Sequence, residues 1–156
     1  MAANRKVFQE AIQAATNAAS DQNWDQSIAE YKRALQEFPD NASALTGLGM
    51  AYSGAGQVKA ALEVYQRARQ ITPDDPVLLE RVAQIMEKVG QKKKAADAYI
   101  ASAKQHAQQN AIKLAVERWE DAVRVFPNAI QAHIRLLEHY QKTRQIDRAV
   151  DACKAL

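Results

Sequence analysis

The stretch Leu45-Thr46-Gly47-Leu48-Gly49-Met50-Ala51-Tyr52, continued by Ala61, Tyr65, Ala68 and Pro73, decides the fold, because its outline recurs at a fixed step, the one that separates Pro39 from Pro73. One step back, Pro73 falls on Pro39, Ala68 on Ala34 and Tyr65 on Tyr31. One step forward, they fall on Ala107, Ser102 and Tyr99. Small residues, an aromatic and a closing proline at fixed offsets specify a repeated pair of helices. Leu45, Leu48, Gly49 and Tyr52 stand three or four residues apart, so they share one helix face and read as a packing seam. Gly49, Ala61 and Ala68 are small where helices cross closely, and Tyr52 and Tyr65 fill the space beside them.

Apolar spacing and breakers outline about nine helices. They run over about 5–20, 24–38, 42–53, 57–71, 76–89, 92–109, 111–126, 129–142 and from 145 to the end. Pro39 ends the second, Gly54 and Gly56 divide the third from the fourth, and Asp75-Pro76 reads as a cap with proline in the first turn. The regular step then fails, since Pro127 stands one step plus twenty positions beyond Pro73. Ala115, Trp119 and Ala122 nevertheless stand before Pro127 as Ala61, Tyr65 and Ala68 stand before Pro73. The partner expected for that helix would supply Tyr99, Ala103 and His106, which already belong to the preceding pair. One long helix over about 92–109 therefore serves two repeats, and a kink or change of twist is expected there.

This pattern resembles the tetratricopeptide repeat family over most of the chain. The resemblance implies an all-α fold, a right-handed α-solenoid of antiparallel helix pairs, in a single domain over 1–156. Its repeats are expected at about 8–41, 42–75 and 76–109, with an irregular one at 96–129 and a truncated one at 130–156, so that a phase slip spans about 92–127. The last repeat stops without its closing proline and without a polar capping helix, which suits a piece of a longer array or association through that end. Self-association through the end around Ala149 to Leu156, or through the Ala-rich first helix, is thus the alternative function.

Composition narrows the classes. With 47% hydrophobic and 25% charged residues, the chain reads as an ordinary folded protein and not a disordered one. The formal charge of +3 comes from Lys and Arg interleaved with Asp and Glu, and the only basic run is Lys92-Lys93-Lys94. A nucleic-acid partner would rest on net charge alone. One cysteine excludes an internal disulfide. The opening MAANRKVFQEAIQ has no apolar signal core, and no run of eighteen apolar residues occurs, so a cytoplasmic protein without a membrane partner is the expectation. Asn41-Ala42-Ser43 is a glycosylation sequon by letter, but it follows Pro39-Asp40 as a helix start.

The family resemblance makes one side of the first helices functional, since there they line a groove that holds an extended peptide or a partner helix. The groove positions are then Gln9, Ile12, Gln13 and Thr16; Ser43, Thr46, Gly47, Met50 and Ser53; and Glu80, Arg81, Gln84 and Glu87. Most are small and uncharged, which lets a backbone approach, with Met50 as an adaptable apolar contact. A specialised subgroup of the family grips acidic C-terminal tails of chaperones with Lys, Asn and Arg. Here Ile12 and Thr16 stand where it has Lys and Asn, Gly47 replaces a second Asn and Val77 a second Lys. Only Arg81 matches, too few charges to hold a carboxylate selectively.

Nothing points to catalysis or a cofactor. The glycines at 47, 49, 54 and 56 follow no strand and precede no Gly-Lys-Ser/Thr, so they are repeat glycines and not a phosphate loop. His106, His133 and His139 lack metal-ligand spacing. No Ser, His and Asp set or carboxylate pair sits in a loop context that would position a nucleophile. Cys153 reads as packing rather than as a reactive thiol. The expectation is a non-catalytic interaction scaffold.

Overall fold

Among the described residues, asparagine or aspartate caps four of the helix starts, and a left-handed turn residue closes five of the ends. The computed structural model describes residues 4–154, apart from the side chain of Cys153, so the reading of that thiol lies outside the described residues. Nine α-helices lie in this span: α1 (Arg5–Ser20), α2 (Trp24–Glu37), α3 (Ala42–Gly54), α4 (Val58–Ile71), α5 (Pro76–Lys88), α6 (Lys92–Gln108), α7 (Ile112–Val125), α8 (Ile130–Lys142) and α9 (Ile146–Lys154). The side chains of Asn4, Asn23, Asn41 and Asp75 accept hydrogen bonds from the first free N–H groups of α1, α2, α3 and α5. Asn41 thus acts as a helix cap, bonded to the Ala44 N–H at 2.9 Å.

Five turns share one geometry. Gln22, Gly56, Gly90, Asn110 and Arg144 have φ between 57° and 76°. After each, the next N–H returns to the carbonyl five residues back: Asn23 to Ala18, Gln57 to Tyr52, Gln91 to Met86, Ala111 to His106 and Gln145 to Tyr140, all at 2.8 Å. These are Schellman closures, in which the left-handed residue lets the chain reverse. One full repeat step separates Gln22 from Gly56, Gly56 from Gly90, and Asn110 from Arg144. Gly90 and Asn110 stand only twenty positions apart, so the slip read in the sequence lies between those two turns. The segment between them is α6, which packs on α5 and on α7. Ala95, Ala96, Tyr99, Ser102, Ala103 and His106 are buried along it and fall together on one broad face of the helix. The helix runs unbroken through the shared region.

The fold is all-α and of the solenoid type, in which successive helices pair antiparallel and, within each of two units, stack on their neighbours. Those compact units run up to Pro73 and from Asp74. In the first, α3 is held between two tyrosines of the flanking helices. A Cβ on Gly47 would lie 2.6 Å from Tyr31 Oη, and one on Gly49 would lie 2.6 Å from Tyr65 Cδ1. Ile28, Leu48 and Ala51 form the adjoining core. In the second unit one core runs from Ala83 through Tyr99, Trp119, Val125 and Leu136 to Tyr140 and Ala152. Buried Ser102 donates to the Pro76 carbonyl at 2.7 Å and buried Ser27 to the Ala15 carbonyl at 3.0 Å, so each hydroxyl at a small-residue position is satisfied.

Candidate functional site

The groove positions named from the sequence fall into two unlike sets. In the first unit α1 packs on α3, and the exposed or half-exposed sides of these helices carry Gln9, Ile12, Gln13 and Thr16, then Ser43, Thr46, Met50 and Ser53. No charged residue occurs between Asp40 and Lys59, so α3 is uncharged along its length. Thr16 donates its hydroxyl hydrogen to the Ile12 carbonyl and Thr46 to the Ala42 carbonyl, each at 2.9 Å. Gln13 Nε2 donates to Asn17 Oδ1 at 3.0 Å. With their hydrogens used inside the helix, the two threonines offer oxygen lone pairs. Met50, 43% exposed, is the large apolar side chain of this strip. Gly47 differs in role from its neighbours: the missing side chain makes room for Tyr31, so the glycine is there for the α2–α3 crossing.

On α5 the corresponding positions are charged and already engaged within the second unit. Arg118 Nη1 meets Glu80 Oε1 at 2.7 Å, Gln84 Nε2 donates to the same oxygen at 3.1 Å, and Arg81 Nη1 donates to Gln84 Oε1 at 3.0 Å. One turn on, Arg124 grips Glu87 with two bonds of 2.6 and 3.2 Å, and Tyr99 Oη donates to Glu87 Oε2 at 3.2 Å. Asp121 stands between the two arginines, 3.2 Å from Arg118 Nε and 3.4 Å from Arg124 Nη2. The first of these is off line, and buried Arg118 Nε, like Arg81 Nε, makes no hydrogen bond.

The electrostatics follow. The bond from Arg124 holds the Glu87 carboxyl below the usual carboxylate range, although burial opposes it. Burial pushes the Tyr99 hydroxyl up to about 12, helped by the negative charge of Glu87, and Arg124 is held more firmly protonated. Arg118 and Arg124 of α7 thus occupy the carboxylates of Glu80 and Glu87 that sequence reading had offered to a ligand, while Gln84 is engaged by Arg81 and Glu80 of its own helix. That reading missed the two α7 arginines because they lie more than one full repeat downstream of their partners, outside the repeat positions. The signal available was the slip itself, which brings the helix before Pro127 into an unusual place.

Among the described residues no group of three or more His, Cys, Asp or Glu could hold a metal ion, and no helix is long and apolar enough to cross a membrane. His133 Nε2 lies 2.8 Å from the Pro127 carbonyl, which can only accept, so that nitrogen carries the proton. Lys92, Lys93 and Lys94 are exposed on the first turn of α6.

Residues 12–76 match the profile of a tetratricopeptide repeat family. The chain finds no match among curated proteins. Solved structures similar to it include Pseudomonas aeruginosa PilF, at 16% identity over 96% of this chain and 75% of that one, with a TM-score of 0.57. MamA of Desulfovibrio magneticus RS-1, from its residue 41 to its end, is 15% identical over 99% of this chain and 93% of that one, with a TM-score of 0.57. PilW, described as a widely conserved type IV pilus biogenesis factor, is 18% identical over 98% of this chain and 77% of that one, again at 0.57. Identities this low carry the fold alone.

Proposed function

Because this chain is a tetratricopeptide repeat protein, we propose that it is a non-catalytic scaffold that holds a segment of a partner protein on the α1–α3 face of its first unit. The observation that carries this reading is the strip formed by Gln9, Thr16, Ser43, Thr46 and Met50, uncharged in a chain one quarter of whose residues are charged. A charged partner side chain laid there would lose part of its water and gain no counter-charge. A peptide or helix with an apolar anchor over Met50 and N–H or hydroxyl donors toward the threonine oxygens meets no such penalty. The charged strip of α5 does not compete for that segment, because its carboxylates already have partners in Arg118 and Arg124, the Arg118–Glu80 pair being mostly withdrawn from water.

The test replaces Thr46 and Met50 with glutamate. Proteins captured from a lysate by the wild type and by the Thr46→Glu/Met50→Glu variant are compared by mass spectrometry, with circular dichroism showing that the variant remains helical. Loss of a defined set of partners is the expected outcome. An unchanged set would reject the α1–α3 face.

A further inference from the structure

We propose that the face formed by α8 and α9 is a two-fold interface between two copies of this chain. An open groove of about 460 Å³ lies on this face, lined by Leu137, Tyr140, Ile146, Ala149 and Val150, with Arg144 at its mouth. Ile146 is 72% exposed and Val150 44%, one helical turn apart, so among the described residues nothing covers them.

The first unit indicates what such a face receives. Ile146 and Val150 follow the left-handed residue Arg144 by two and six positions, as Trp24 and Ile28 follow Gln22. Trp24 and Ile28 are covered by α3. A Cβ on Gly54 would lie 2.6 Å from the Trp24 ring, and Leu48 and Ala51 pack with Ile28. The groove on α8 and α9 is by this comparison a seat for a helix. Which helix of a second copy can sit there follows from charge and size. The face of α1 that corresponds to the covering face of α3 presents Glu10, Gln13, Asn17 and Ser20, all exposed, where α3 has Ala44, Gly47, Ala51 and Gly54. Four polar side chains cannot enter an apolar seat without losing their water, so α1 of another copy is excluded and head-to-tail growth with it.

The remaining candidate is α9 itself, crossing its symmetry mate antiparallel. Asp147 stands three residues before Val150 and Lys154 four after, on one side of the helix. Under a two-fold axis near Val150, Asp147 of each copy faces Lys154 of the other, and the two Val150 side chains meet between these charge pairs. Lys154 is free to turn toward that partner, since within its own chain it reaches Asp151 only at 4.0 Å, with both side chains more than 70% exposed. An isologous contact of this kind closes on itself, which predicts a dimer and no larger species.

Light scattering coupled to size exclusion, and sedimentation equilibrium, on the full chain test this. The wild type should be dimeric at about 100 µM and dissociate on dilution. Ile146→Glu/Val150→Glu should be monomeric with an unchanged circular dichroism spectrum, the dissociation constant rising about tenfold or more for each anchor lost. Asp147→Lys should weaken the dimer, and Asp147→Lys/Lys154→Asp should restore it. A monomeric wild type would overturn the proposal and leave the seat to a different helix, from a partner or from further chain. Species that grow beyond a dimer, or a dimer indifferent to the Ile146 and Val150 changes, would overturn it too.

Discussion

Adding one methyl group at Gly49 should destabilise the first unit by about 2 kcal/mol, the excess of an overpacking cost over a gain in helix propensity. An alanine Cβ there would lie 2.6 Å from Cδ1 and 2.8 Å from Cζ of Tyr65, well inside van der Waals contact. Tyr65 is 1% exposed and closed in on all sides, so its ring cannot retreat into solvent. Forcing an extra methyl into such a site costs up to ~3 kcal/mol, and alanine's better helix propensity returns ~1 kcal/mol. Gly47 provides the comparison within the same helix. Its Cβ would meet Tyr31 just as closely, but that ring is only half-buried and can swing outward. The steric cost of Gly47→Ala should then be ~1 kcal/mol, which the propensity gain roughly cancels. Urea unfolding at neutral pH, followed by circular dichroism and analysed at a common slope, measures both. If Gly49→Ala is as stable as the wild type, or if the two variants lose equally, the tyrosine-into-glycine packing of α3 is wrong.

Gly56 has φ of +74° and open space where a Cβ would go, so Gly56→Ala isolates the backbone cost of the left-handed turn. It should lose ~1 kcal/mol in the same urea assay, whereas Gln22→Gly, at the equivalent turn with φ of 57°, should lose nothing or gain a few tenths. Because the folded pKa of Glu87 is depressed by Arg124, its contribution to stability is present at neutral pH and disappears as acid takes the pH down through that folded value. Thermal unfolding at pH 7 should therefore place Glu87→Gln below the wild type, and the gap should narrow toward pH 3. A constant gap would mean that the carboxylate charge contributes nothing.

The helix boundaries were legible to within a residue or two where chemistry marks them: Asn41 and Asp75 at starts, Pro39 and Pro73 after ends, Gly56 and Gly90 at reversals. The slip was legible from Pro127, and the turns at Gly90 and Asn110 give it the same length. Gln22 and Arg144 escaped notice as turn residues because neither side chain favours a left-handed conformation, and only their spacing from Gly56 and Asn110 marks them. Helix α6 continues unbroken through the shared region, with its buried residues on one broad face. The site was less legible. Repeat positions told which residues of α5 point away from the seam, but not that Arg118 and Arg124 would meet them. Nor could Gly47 be told from its polar neighbours without knowing where the Tyr31 ring lies. The alanines of α1, candidates for association between copies, are spent inside the first unit: Ala11, Ala15 and Ala18 are buried there.

The shared helix also bears on how the second unit comes apart. In a linear array each helix pair can fray from an end with its own partners, and amide hydrogens then exchange pair by pair. Helix α6 has no such seam on either side. Releasing α5 leaves it clamped by α7, and releasing α7 leaves it clamped by α5. Its amides open only when both neighbours have gone, which makes α6 the slowest-exchanging segment of that unit and the piece around which the rest must refold.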